Sequence, residues 1–81
     1  MSGTNTAWIL TSERLPDIYD DVLVVAYGRD KALELRASIE MACRGEDGEW
    51  HLFAFPQMRD VRVTHWMPLP ELPEGVEPAD N

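Results

Sequence analysis

Reactive chemistry in this chain would have to come from three residues: Cys43, His51 and His65. A thiol and two imidazoles are the beginning of a zinc set, because zinc takes Cys sulfur and His nitrogen in tetrahedral sites. The spacing does not complete one. There is no Cys-x-x-Cys, no His pair at helical spacing, and no fourth ligand marked by the pattern. Cys43 beside either His would also make a nucleophile–base pair, but no segment supplies an oxyanion hole or a group that lowers the thiol pKa. The simpler reading makes Cys43 a small apolar packing group. His65, between Thr64 and Trp66, is then a hydrogen-bonding structural residue. Gly45 and Gly48 flank a turn and do not form a phosphate loop. These residues point to no enzyme, no metal and no cofactor.

The carboxylates are the other group to weigh. Asp17, Asp20 and Asp21 lie close together, and magnesium or calcium takes such ligands. No EF-hand pattern or glycine-turned loop follows them, so they read as a solvated acidic turn. Glu46, Asp47 and Glu49 cluster in the two-glycine turn. Glu71, Glu74, Glu77 and Asp80 recur every third residue, which in a polyproline II segment lines them up as one stripe. The plainer alternative is an acidic tail without fixed structure. No two acids share an apolar setting that would suit acid–base catalysis.

The whole chain carries fifteen acids against seven bases, a net charge of −8. Phosphate contacts need Lys and Arg, so direct nucleic-acid binding is not expected. A basic protein partner is compatible, including one whose basic surface normally holds nucleic acid. Solubility is the plain alternative reading of the charge. With one cysteine no intrachain disulfide forms, which fits a reducing compartment. Residues 1–6 are small and polar, without signal-peptide character. The longest apolar run, Val22 to Tyr27, is far too short to span a bilayer. The expectation is a cytoplasmic protein with no membrane contact.

The elements that must position these groups are strands. Val22-Leu23-Val24-Val25-Ala26-Tyr27 is β-branched and apolar on both faces, as a central strand is. Residues 31–44 present a conflict. Lys, Ala, Leu, Glu, Arg and Met favour a helix, yet Leu33, Leu35, Ala37, Ile39, Met41 and Cys43 form one alternating row, which reads as a strand. Its length predicts a bend or bulge near Ala37-Ser38. The alternative is an α+β arrangement with one helix within 29–43, a short helix over roughly 29–38 followed by a strand. Gly45-Glu46-Asp47-Gly48 reads as a hairpin turn, Glu49 to Phe55 as a strand stopped by Pro56, and Val61 to Met67 as the last strand. There Val61, Val63 and His65 alternate with Arg62, Thr64 and Trp66.

The predicted organisation is a disordered 1–6, one β-rich domain over 7–70 and an acidic, proline-containing tail over 71–81. The predicted fold is mostly β, a single small antiparallel sheet of about four strands. A chain of this length has a thin core, so its indoles matter. Proline rings pack flat on indoles, and the sequence predicts that Pro16 with Leu15, and Pro68 with Leu69 and Pro70, clamp over Trp8 and Trp66. Trp50 joins this aromatic–proline set.

Trp8-Ile9, Leu15-Pro16, Val22-Leu23-Val24, Gly48-Glu49-Trp50 and Thr64-His65-Trp66-Met67-Pro68-Leu69-Pro70, in that order, resemble a known pattern. It is that of a small domain of unknown function scattered through tailed-phage and prophage genomes. The closing Thr-His-Trp-Met-Pro-Leu-Pro motif is the specific one, and the similarity runs from about residue 8 to 73. Residues 29–47 depart from it, since members commonly have a shorter, glycine- and tyrosine-rich segment there. The resemblance implies a phage or prophage origin and carries over no catalytic residue.

The expected function is therefore that of a non-enzymatic phage accessory protein that binds a host protein. Its sharper form is an acidic inhibitor of a host defence or nucleic-acid-handling complex. The contacts would be Asp17, Asp20, Asp21, Glu46, Asp47, Glu49, Glu71, Glu74 and Glu77. The rival expectation is a small-molecule or peptide-binding module with Trp50, Phe53, Phe55 and Trp66 lining an apolar groove.

Overall fold

The computed structural model describes residues 7–77. The expected N-terminal disorder (1–6) and Asp80 of the acidic repeat lie outside the described residues. Among the described residues all regular structure is β. The strands are β1 (Ile9–Leu10), β2 (Val22–Arg29), β3 (Glu34–Arg44), β4 (Trp50–Leu52) and β5 (Arg59–Pro68). They form one sheet in the order β1-β5-β2-β3-β4, with every neighbouring pair antiparallel. The expected mostly-β sheet is the observed fold. The fifth strand is the two-residue β1, which pairs Ile9 with Trp66 and Leu10 with His65.

The helix considered within 29–43 does not form. Residues 34–44 are one continuous strand, paired with β2 along its length. The chain's helix formers lose to a period of two, because pairing with the apolar β2 satisfies the backbone and packs the side chains together. β4 is shorter than the strand read over 49–55. After Leu52 the backbone turns, with Phe55 N–H donating to the Leu52 carbonyl and Met58 N–H to that of Phe55. This turn folds Phe55 and the buried Met58 back onto the core.

Both long alternating rows are broken by an extra residue. Ala26 faces Ser38 but Gly28 faces Leu35, so β3 carries one residue more than β2 across that interval. Ala37 sits there with φ 54°, the left-handed conformation of a bulge. The sequence places a bend at Ala37-Ser38, and the bulge is found there. Its consequence corrects the single row: a one-residue slip exchanges faces. Leu35 is buried on the inner face, while Ile39 and Met41 lie on the outer one, Ile39 at 62% exposure. In β5, Val25 faces His65 and Ala26 faces Val63, leaving Thr64 as the extra residue. Val63 and Trp66, read as opposite faces, therefore both enter the core. A further slip between Tyr27–Arg62 and Arg29–Arg59 coincides with Asp60 at φ 58°.

Bulges add local twist, and the sheet curls until β4 approaches β5 across its inner side. That concave side holds the core: Val22, Val24, Leu52, Val63 and Trp66 are buried there with Ala26, Leu35, Ala42 and Met58. Each large apolar side chain so buried contributes about 1.5–3 kcal/mol. Gly28 lies close under this packing: a Cβ would stand 2.7 Å from Met58 Sδ, so the Met58 side chain would have to shift to admit one.

Candidate functional site

Antiparallel pairing sends alternate connections to opposite ends of the sheet. Val22 faces both Ala42 and Pro68, so the start of β2, the end of β3 and the end of β5 share one end. The segment before β2 carries Asp17, Asp20 and Asp21. The β3–β4 turn carries Glu46, Asp47 and Glu49, and the segment after β5 carries Glu71, Glu74 and Glu77. Nine acids far apart in sequence thus leave the sheet from the same end. Arg29, Lys31, Arg36, Arg59 and Arg62, five of the chain's seven bases, lie on or beside the other half, where Arg29 faces both Glu34 and Arg59. The net charge of −8 conceals a molecule with one acidic pole and one mildly basic one.

The acidic pole contains a groove of about 390 Å³. Buried Trp66, Val22 and Pro16 line it with the exposed Pro68, Arg14 and Leu15, and Asp17, Asp20 and Asp21 complete the lining. Trp66 is 6% exposed. Its Nε1–H donates to the Arg14 carbonyl at 2.8 Å, and the Arg14 guanidinium lies 5.7 Å from the ring centroid, within cation–π range. The loop is held from below by Arg44. Tyr19 N–H donates to the Arg44 carbonyl at 2.8 Å, and Arg44 Nη1 donates to the Pro16 carbonyl at 3.4 Å. Asp20 N–H closes the turn onto the Asp17 carbonyl.

Two residues of this loop escaped the sequence reading. Ile18 and Tyr19 are exposed, Tyr19 at 60%. Tyr19 also has φ 67°, a conformation that costs a non-glycine residue about 1–3 kcal/mol and persists only where its surroundings impose it. The bond to Arg44 imposes it here. The result is a tyrosine held outward among three carboxylates, with nothing in the local sequence to announce it.

The neighbouring turn is built just as firmly. Gly45 N–H donates to the Glu49 carbonyl, Gly48 N–H to that of Gly45, and Glu49 N–H to Asp47 Oδ1 at 2.9 Å. That last bond, with a smaller contribution from His51, holds the Asp47 carboxyl below the usual range. Gly45 is buried, and a Cβ there would lie 2.8 Å from His51 Nε2 and 2.9 Å from Asp47 Oδ1. Both atoms end exposed, flexible side chains that can swing aside, so Gly45→Ala is expected to cost little. Gly48→Ala, in open space but at φ 80°, is expected to cost more, about 1–3 kcal/mol for a non-glycine residue in the left-handed region, read as a drop in the urea midpoint.

The residues weighed for chemistry are placed as follows. Cys43 and His51 are cross-strand partners, and His51 Nε2 stands 3.5 Å from Asp47 Oδ1. His65 lies on β5, facing Val25, and shares a 2.9 Å hydrogen bond with Thr64 through Nδ1. Among the described residues no three His, Cys, Asp or Glu side chains converge as a metal set. Burial, reinforced by the charge of Asp21, pushes the Cys43 thiol up. The thiolate is the reactive form, so Cys43 is expected to react more slowly with iodoacetamide at neutral pH than an unstructured cysteine peptide, and to catch up once the protein is unfolded in urea.

The aromatic and proline residues divide among several places. Pro16, Pro68 and Trp66 meet in the acidic groove, while Pro70 is exposed beyond the sheet. Trp8 lies beside Leu10, Val25 and His65 on the outer face. Trp50 lines a separate cavity with Met58 and Arg59, Phe55 packs on the core, and Phe53 is exposed. Among the described residues no helix is long and apolar enough to cross a membrane.

The sequence model of a family described as "Protein of unknown function (DUF551)" matches residues 7–74. That span covers all five strands and the groove. Comparisons with curated proteins and with solved structures find no match.

Proposed function

The chain belongs to the DUF551 family of proteins of unknown function, and from that premise we propose that it is a non-enzymatic binding protein whose acidic pole seats a basic segment of a protein partner. One observation carries this reading. Asp17, Asp20 and Asp21, three carboxylates against the one guanidinium of Arg14, line a groove with Trp66, Pro16 and Pro68, and Tyr19 is exposed beside it. An Arg or Lys side chain has an aliphatic stem and a cationic head. The indole and prolines suit the stem, and the carboxylates suit the head. Tyrosine is also among the residues that most often dominate binding energy at interfaces. The remaining acids of the pole, from Glu46 to Glu77, extend the same negative field and would steer a basic partner onto the groove.

In its finer form the proposal is a phage accessory protein acting in the host cytoplasm, an inhibitor that occupies a host protein's basic, nucleic-acid-binding surface. The family-like motifs from Trp8-Ile9 to the closing Thr64–Pro70 run support that setting. The acid count supports the partner's chemistry.

Immobilised protein exposed to host lysate tests both forms. A retained partner should elute with moderate salt. Association with the triple variant Asp17→Lys, Asp20→Lys, Asp21→Lys should be slowed about tenfold or more, and Tyr19→Ala should speed dissociation. Capture that persists through high salt and is indifferent to the triple reversal would eliminate the acidic pole as the binding surface.

A further inference from the structure

We infer that the convex face of the sheet is a self-association surface, on which two copies of this chain pack face to face with their strands antiparallel. The bulge at Ala37 creates that face. By turning Ile39 and Met41 outward it completes two adjacent rows across the sheet, apolar but for His65. Leu10, His65, Val25 and Ile39 form one row, and Met67, Leu23 and Met41 the other, by their ladder partners. Leu10, Ile39 and Met41 are exposed, as is Phe53, whose N–H extends the second row by donating to the Met41 carbonyl. No carboxylate sits within either row; Glu13 stands beside the first, with Leu10, Val25 and His65.

Four strands about 4.8 Å apart, read over about six residues of 3.3 Å rise, span roughly 20 by 20 Å, about 400 Å² before side-chain relief. That is about half of the approximately 800 Å² per partner of a standard complex, and the rim residues Trp8 and Phe53 add to it. The face suits a small interface, and the largest apolar patch of a domain is often an interaction site.

Charge selects a second copy as the occupant. Arg62 closes the face at one end, stacked 5.4 Å over the Tyr27 ring. Asp21 closes it at the other, on the convex side because it precedes the inward Val22. Val24 lies midway between residues 21 and 27. A two-fold axis at its level sets the Leu23 row of one copy on the Val25 row of the other. It also sets each Asp21 against the other copy's Arg62 and the acidic pole of each against the basic half of its mate. Such an arrangement is isologous and closed, and it is the aligned packing that two twisted sheets prefer. The groove beside Trp66 opens from the end of the sheet and shares only Asp21 with this face, so Ile39→Glu, Met41→Lys and Arg62→Glu test the pairing without touching the partner-binding surface proposed above.

Light scattering and sedimentation equilibrium across micromolar to submillimolar protein should give twice the 9.2 kDa chain mass. Ile39→Glu, at an outward position, should weaken the dimer at least tenfold while far-UV circular dichroism and cooperative melting persist. Met41→Lys should do the same. Arg62→Glu should weaken it, and adding Asp21→Arg should restore it. A mass of one chain at every concentration, a dimer untouched by Ile39→Glu and Met41→Lys, or a double variant no tighter than Arg62→Glu alone would each overturn the inference.

Discussion

Trp66→Ala is expected to cost about 3–5 kcal/mol of unfolding free energy, as truncation of a buried aromatic does. That is a large share of the 5–15 kcal/mol available to a native protein, and most of it at the low end, where a small domain sits. The position explains the magnitude. Trp66 faces Val24 on one side and Ile9 on the other, and its indole N–H reaches the Arg14 carbonyl from 52 residues away. Removing the ring opens a cavity beneath Pro16 and Pro68 and loosens the segment from Arg14 to Asp21, which keeps its bonds to Arg44. Trp66→Phe separates the two effects. It keeps most of the apolar volume and loses the donor, and should cost about 1–3 kcal/mol, the scale of a partly buried acceptor left without its partner. Urea unfolding followed by circular dichroism gives both values. Wild-type stability for Trp66→Ala would remove the ring from the set of residues that hold the fold.

Much of this architecture is legible in the chain and some is not, for reasons tied to particular residues. β2 is readable because Val22, Val24 and Val25 are β-branched and the run is apolar throughout. β3 is readable once period is ranked above propensity. Even the break near Ala37-Ser38 follows from a strand too long to run straight. What cannot be read is the sense of each break. Ala37, Asp60 and Tyr19 take positive φ without being glycine, so the usual marker of a left-handed residue is missing at all three. Each extra residue reverses the assignment of everything beyond it, which is why Ile39 and Met41 turn outward and Trp66 joins Val63 inside. The acidic pole had a readable cause that a whole-chain charge hides. Segments before β2, after β3 and after β5 must leave an antiparallel sheet from one end, and those segments hold the acids. The groove was half visible: Asp17, Asp20 and Asp21 were candidates for one role and Pro16, Trp66 and Pro68 for another. Their meeting in one place depends on Arg44 pinning the loop, a contact 28 residues long for which the sequence has no signal.

Deleting Thr64 is expected to leave a cooperatively melting domain at a cost of about 1–3 kcal/mol, because the residue it removes is the one the ladder does not use. Thr64 is the extra residue between His65, opposite Val25, and Val63, opposite Ala26. Without it His65 and Val63 become neighbours and keep those partners. Val63 and Trp66 are then two positions apart and share the inner face by plain alternation. What the deletion loses is local. The bulge is anchored from outside: Thr11 Oγ1–H lies within bonding distance of the carbonyls of Val63 and Thr64, at 3.0 and 3.2 Å, and Thr11 N–H donates to that of Thr64. Deletion removes the Thr64 acceptor, the Thr64–His65 side-chain bond and the twist that a bulge adds. Thr64→Gly preserves the acceptors and loses only the side-chain bond together with some backbone stiffness, a cost of about 1–2 kcal/mol. Urea unfolding followed by circular dichroism gives both values. A deletion variant that fails to fold would mean that the bulge itself, and not the pairing on either side of it, holds Val63 and Trp66 in the core.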